Sequence, residues 1–104
     1  MKIRVGEKDY LLGYPTRKDA VNAENNGLDI TNAGKVVGLT ETLFYTGMLA
    51  KQPDITKTKA IEVLEKYIAE DGDTEEITQF LISEYTAFIQ SPNGKKKKAK
   101  IVEM

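Results

Sequence analysis

TKTKAIEVLEKYIAEDGDTEEITQFLISEYTAFI, residues 56–89, decides the fold of this chain. Ala60, Ile61, Leu64, Tyr67 and Ile68 recur at the 3, 4, 7, 8 spacing of a single helix face. Thr56 is placed to cap that helix at its N-terminus. Glu62 and Lys66 form an i,i+4 pair worth about 0.3 kcal/mol, and Asp71-Gly72 is a stop signal. Asp73 and Glu76 then make an Asp-x-x-Glu cap, a variant of the capping box. The helix it opens carries a wide apolar stripe: Ile77, Phe80, Leu81, Tyr85 (or Glu84 beside it), Phe88 and Ile89. Ser91-Pro92-Asn93-Gly94 closes it.

Upstream, Leu39 to Ala50 is the most apolar segment of the chain. Leu39, Leu43, Phe44, Met48 and Leu49 fall near helical spacing, with Tyr45 and Gly47 on flanking positions. A glycine inside a helix costs about 1 kcal/mol relative to alanine, so Gly47 reads either as a place where another helix approaches closely or as tolerated drift. Pro53 lies beyond the end of this element. A further helix starts at Thr16, with Asp19 three residues on, and runs through Ala20, Val21, Ala23 and Glu24 to Asn26-Gly27, a left-handed C-terminal signal. Leu28 and Ile30 straddle Asp29 and fold back onto the core, and Thr31-Asn32-Ala33-Gly34 is a loop. At the start, Ile3 and Val5 alternate with Lys2 and Arg4, Gly6-Glu7-Lys8-Asp9 supplies turn chemistry, and Tyr10-Leu11-Leu12 resumes an extended pattern until Pro15. Such a hairpin is marginal alone and must lie against helices. The expected fold is mainly α (α+β): an N-terminal β-hairpin followed by about four short helices. One domain covers residues 1–92, and residues 93–104 form a flexible lysine-rich tail.

Composition narrows the chemistry. The chain of 104 residues contains no histidine, cysteine or tryptophan. Histidine is the side chain that titrates near neutral pH and the commonest metal ligand, and cysteine is the strongest ordinary nucleophile and a soft ligand. Without them, Cys-His and Ser-His catalysis and zinc or iron–sulfur sites are excluded. No apolar run approaches the roughly 20 residues of a membrane span, and the first residues lack the apolar core of a signal peptide. Residues 1–94 carry ten Lys/Arg against fifteen Asp/Glu, whereas residues 95–104 carry five lysines against Glu103. An acidic body with a short basic tail differs from the broad basic face of a nucleic-acid binder.

The remaining candidate sites have structural explanations. Asp71, Asp73 and Glu75 share the odd spacing of a calcium loop, but Glu76 and Ile82 occupy the positions where such a loop needs glycine and a carboxylate. Capping accounts for these acids instead. Gly34-Lys35-Val36-Val37-Gly38 lacks the Lys-Ser/Thr that follows the last glycine of a phosphate loop. Glu62, Glu65, Glu70, Glu75, Glu76 and Glu84 read as solvated outer-face acids, since no pair of them lies in an apolar run that would raise its pKa. The run Lys95 to Lys98 has no aromatic residues for base stacking. Phe44, Tyr45, Met48, Tyr85 and Phe88 are core positions first, yet this apolar set is generous for four short helices. Part of it is available as a partner groove, a role that Met and aromatic side chains suit.

Asn26-Gly27-Leu28-Asp29-Ile30, a short loop, and then Leu39-Thr40-Glu41-Thr42-Leu43-Phe44-Tyr45-Thr46-Gly47-Met48-Leu49 resemble the small tail-assembly chaperones of long-tailed phages and prophages of Gram-positive bacteria. Gly6, Tyr10 and Leu12 match the Gly-x-x-x-Tyr-x-Leu pattern of that family's hairpin. The resemblance covers roughly residues 1–90. It implies a helical, non-enzymatic protein without cofactor or metal, which coats the tape-measure protein and keeps it soluble while the tail tube assembles. It further implies self-association on the partner, a place in the cytoplasm of the bacterial host, absence from the mature virion, and no nucleic-acid or membrane partner. The residues expected to join core to partner surface are Leu43, Phe44, Tyr45 and Met48. In many such phages a ribosomal slip appends a C-terminal extension, and Lys95 to Lys98 lie where a slippery sequence would fall. The alternative, from a different class, is a small DNA-binding or regulatory helical module of phage or mobile-element origin, against which the acidic body argues.

Overall fold

The chain folds as a two-stranded antiparallel hairpin followed by four helices in the computed structural model, which describes residues 1–31 and 36–90. β1 (Lys2–Val5) pairs with β2 (Lys8–Leu11) in the register Ile3 to Tyr10 and Arg4 to Asp9. The expected turn is shorter than four residues. Lys8 and Asp9 belong to β2, and Gly6 opens a two-residue turn with φ +66°, the backbone state that matches the twist of paired strands. Alternation works as the sequence indicates: Ile3, Val5 and Tyr10 are buried, while Arg4 and Asp9 meet on the outer face. The Arg4 guanidinium contacts both oxygens of Asp9, at 2.7 and 3.2 Å, and holds this carboxyl below its ordinary range.

α1 (Arg17–Asn25) opens on a complete capping box, in which Thr16 and Asp19 each accept from the other's backbone N–H. It ends in a Schellman motif: Gly27 takes φ +96°, and Leu28 donates to the Ala23 carbonyl at 3.0 Å. That bond turns Leu28 back onto Ala23, and both are buried. Ile30 packs against the same core.

α2 (Val36–Leu49) begins three residues before the expected start and takes in Val37 and Gly38. Apolar on almost every side, it packs against α1, α3, α4 and β2. Leu43, Phe44 and Met48 are closed off from water, each contributing about 1.5–3 kcal/mol by burial. Gln52, just past α2, joins it to the hairpin. Its side-chain amide accepts from Leu11 N at 2.7 Å and donates to the carbonyls of Leu11 and Met48 at 3.0 and 2.6 Å. One side chain thereby extends the β2 edge and satisfies the end of a helix.

α3 (Lys57–Ala69) starts under its Thr56 cap, which accepts from Lys59 N at 3.1 Å. α4 (Thr74–Gln90) starts under Asp73, which accepts from Glu76 N at 3.0 Å. Helical spacing put Ile68 and Ile89 on the buried stripes, but they are 51% and 58% exposed. Each stripe is wider than the surface available to cover it, so its edge faces water. Val63, which the expected pattern omits, is buried in α3. Glu62 and Lys66 do not close as an ion pair; among the described residues both ion pairs centre on Asp9. Lys66 instead lies over the hairpin turn at Gly6. The loop at 32–34 and the tail at 93–104 fall outside the described residues.

Candidate interaction surface

Met1 and Leu11 are exposed at the hairpin, and the apolar side chains that the helices leave in water fall on two helix pairs. α1 and α4 enclose a groove of about 290 Å³ lined by Ala20, Val21, Tyr85, Phe88 and Ile89, with Arg17 and Glu24 at its rim. Ala20 and Ala23 let α1 sit close to the core, so the bulkier Val21 turns outward and stays 42% exposed. Ile89 projects from the far end of α4. The second groove, of about 280 Å³, lies between α2 and α3 and is lined by Val37, Leu64 and Ile68 beside Glu41 and Glu65.

The floor of the α1–α4 groove is tied to the centre of the domain by polar bonds. Tyr85 donates its hydroxyl to the Glu24 carboxylate. Burial, then this bond, pushes the Tyr85 phenol up to about 12. Its ring meets Tyr14 edge-on, with centroids 6.3 Å apart. The Tyr14 hydroxyl in turn reaches the Leu43 carbonyl at 3.2 Å and Thr46 Oγ1 at 2.7 Å, and Thr46 donates to the Thr42 carbonyl at 2.7 Å. Burial raises the Tyr14 phenol further still. Every buried side-chain polar atom among the described residues has a partner.

The carboxylates serve as struts. Glu84 was expected to be a solvated acid, but it accepts from Tyr14 N at 2.8 Å, fixing the chain between hairpin and α1 against α4. Glu70 accepts from Gly6 N at 3.0 Å and so holds the hairpin turn to the end of α3. Asp71 takes a left-handed φ of +65° at the end of α3, and Asp73 caps α4, so both act as turn residues. No cluster of three or more potential metal ligands occurs among the described residues.

Of the four residues expected at a partner surface, Leu43, Phe44 and Met48 lie wholly inside the core and Tyr45 is partly buried. While α2 stays packed, the first three present nothing to a partner; their helix is the hub around which the grooves are built. The sequence pattern does not mark Val21, Val37, Ile68 and Ile89 as surface. The available signal was a bulky apolar residue beside alanines, as at Val21, or at the margin of an overwide stripe, as at Ile68 and Ile89. Compared with known proteins, the chain matches no protein-family model, no curated protein and no solved structure.

Proposed function

We propose that this chain is a tail-assembly chaperone of the long-tailed phage type, covering apolar stretches of a tape-measure protein until the tail tube forms around it. The observation that carries this reading is the α1–α4 groove, in which Val21 and Ile89 are 42% and 58% exposed beside Phe88. An apolar helical segment laid there removes these side chains from water, gaining about 25 cal/mol per Å² buried. So small a contact makes one copy a weak binder. Many copies lined up on a single long partner gain strength by multivalency, and self-association along the partner follows from that arrangement.

The engagement of Glu24, Glu70, Glu84 and Asp73 in structural bonds supports a binding role over an acid–base one. Leu43, Phe44 and Met48 belong to the core beneath this surface, and Tyr14 connects the Leu43 carbonyl to Tyr85 on the groove floor. Tyr45 is the member of that set with surface of its own. On this reading the protein works in the host cytoplasm and leaves before the virion is complete, and a long coiled-coil reading frame lies directly downstream of its gene. Co-expression with a fragment of that frame's product is the test. The wild-type chain should move the fragment into the soluble fraction and Ile89→Glu should fail to, with its own melting temperature preserved. Equal solubilisation by both proteins, or by neither, contradicts the proposal.

A further inference from the structure

The α2–α3 groove differs from the α1–α4 groove in its charge. Val37 and Ile68 stand 74% and 51% exposed above a floor at Leu64, and Glu41 and Glu65 line the same depression. Among the described residues no basic side chain lines it. The complementary occupant is a short segment carrying lysines next to aliphatic residues. The chain contains one such segment outside the described residues: Lys95 to Lys98, Ala99 and Lys100, followed directly by Ile101-Val102.

Reach permits the match within one molecule. Thr74, the first residue of α4, borders the groove. The helix of 17 residues carries the chain about 25 Å away from it. Ile101 lies eleven residues beyond Gln90, and that length of extended chain spans roughly 36 Å. A tether of this length holds its end at an effective concentration on the order of millimolar, above that of a second molecule at ordinary working concentrations.

We infer that residues 98–102 dock in cis along the α2–α3 groove, with Ile101 and Val102 between Val37 and Ile68 and with Lys98 and Lys100 facing Glu41 and Glu65. The docked segment shields the exposed pair from water and neutralises part of the acidic body. This inference is independent of the partner assigned to the α1–α4 groove, which it leaves open.

The absence of cysteine makes the test clean, because Ala99→Cys gives a single site for a nitroxide label on the full chain. Amides of Val37, Glu65 and Ile68 should lose at least half their intensity relative to the reduced label. Ile68→Asp, or glutamine at all five tail lysines, should restore most of it, and so should raising the salt to about 1 M, where the screening length falls to about 3 Å. The glutamine variant alters no core residue and is decisive if Ile68→Asp fails to fold. Broadening that leaves the groove amides unaffected, or survives both variants, overturns the inference. So does broadening that persists when isotope-labelled chains without nitroxide are mixed with unlabelled, nitroxide-bearing chains, since the segment then docks on a second copy.

Discussion

Gly47 and Leu81 are in contact across the α2–α4 interface: a Cβ on Gly47 would stand 2.7 Å from Leu81 Cδ2. The Gly47 carbonyl also accepts from Gly13 N at 3.2 Å, so α2, the Leu81 side chain of α4 and the chain segment at Gly13 converge at one point. Of the two readings of this interior glycine, close approach is the one met here. It sets how tightly α4, and with it the groove floor at Tyr85, lies against the core.

Gly47→Ala therefore sets a helix-propensity gain of about 1 kcal/mol against overpacking that costs about 1–3 kcal/mol. The expected outcome is a net loss of about 1 kcal/mol in urea unfolding, which disappears when the same substitution is made in a Leu81→Ala background. Gly38 lies in the same helix with open space around it, so Gly38→Ala should stabilise by up to about 1 kcal/mol. Opposite signs for one substitution in one helix separate contact from propensity.

The Glu84 bond to Tyr14 N gives an ordered series. Glu84→Gln keeps an acceptor oxygen and should cost little. Glu84→Ala leaves the part-buried N–H unpaired and should cost about 1–3 kcal/mol. Amide exchange at Tyr14 should accelerate in the alanine variant first.

Asp71 and Gly72 should respond in opposite directions. Asp71 holds φ +65°, a state that costs a non-glycine residue about 1–2 kcal/mol, so Asp71→Gly should raise stability by about 1 kcal/mol. Gly72 lies under the Tyr67 ring, where a Cβ would stand 2.3 Å from the nearest ring atom. The Tyr67 hydroxyl accepts from Asp73 N at 3.0 Å and fixes the ring there. Gly72→Ala should lower the melting temperature by several degrees.

Alkaline pH should destabilise the fold through Tyr14 and Tyr85. The Tyr85 phenol is raised to about 12, mainly by burial and then by Glu24, against about 10 in an unfolded chain. The unfolded state thus loses its proton first. The stabilisation is complete below pH 10 and is lost as pH rises toward 12. Burial shifts Tyr14 in the same direction. Urea unfolding between pH 9 and 11.5 should show falling stability, with a shallower slope in Tyr85→Phe.

Much of the fold could be read from local sequence. The caps at Thr16, Thr56 and Asp73, the hairpin alternation and the Asn26-Gly27 stop each depend on groups within a few residues of one another. What local sequence left open depended on distant partners. Glu84 looks like any surface acid until Tyr14, 70 positions away, is brought beside it. Ile68 and Val63 are both apolar positions on α3, and only the placement of β1 and α2 decides which is covered. The site was harder to read for the same reason. The segment richest in aromatic and aliphatic residues, Leu43 to Met48, is apolar on too many sides to remain at a surface. It became the hub, leaving Val21 and Ile89 outside.

Calorimetric titration of a tape-measure segment into the full chain at several temperatures measures whether apolar surface is being covered. A negative heat-capacity change that shrinks sharply in Ile89→Glu and Val21→Asp is the expected result. Binding with no heat-capacity change, or with the same change in both variants, would mean that the α1–α4 groove is not where a partner is shielded.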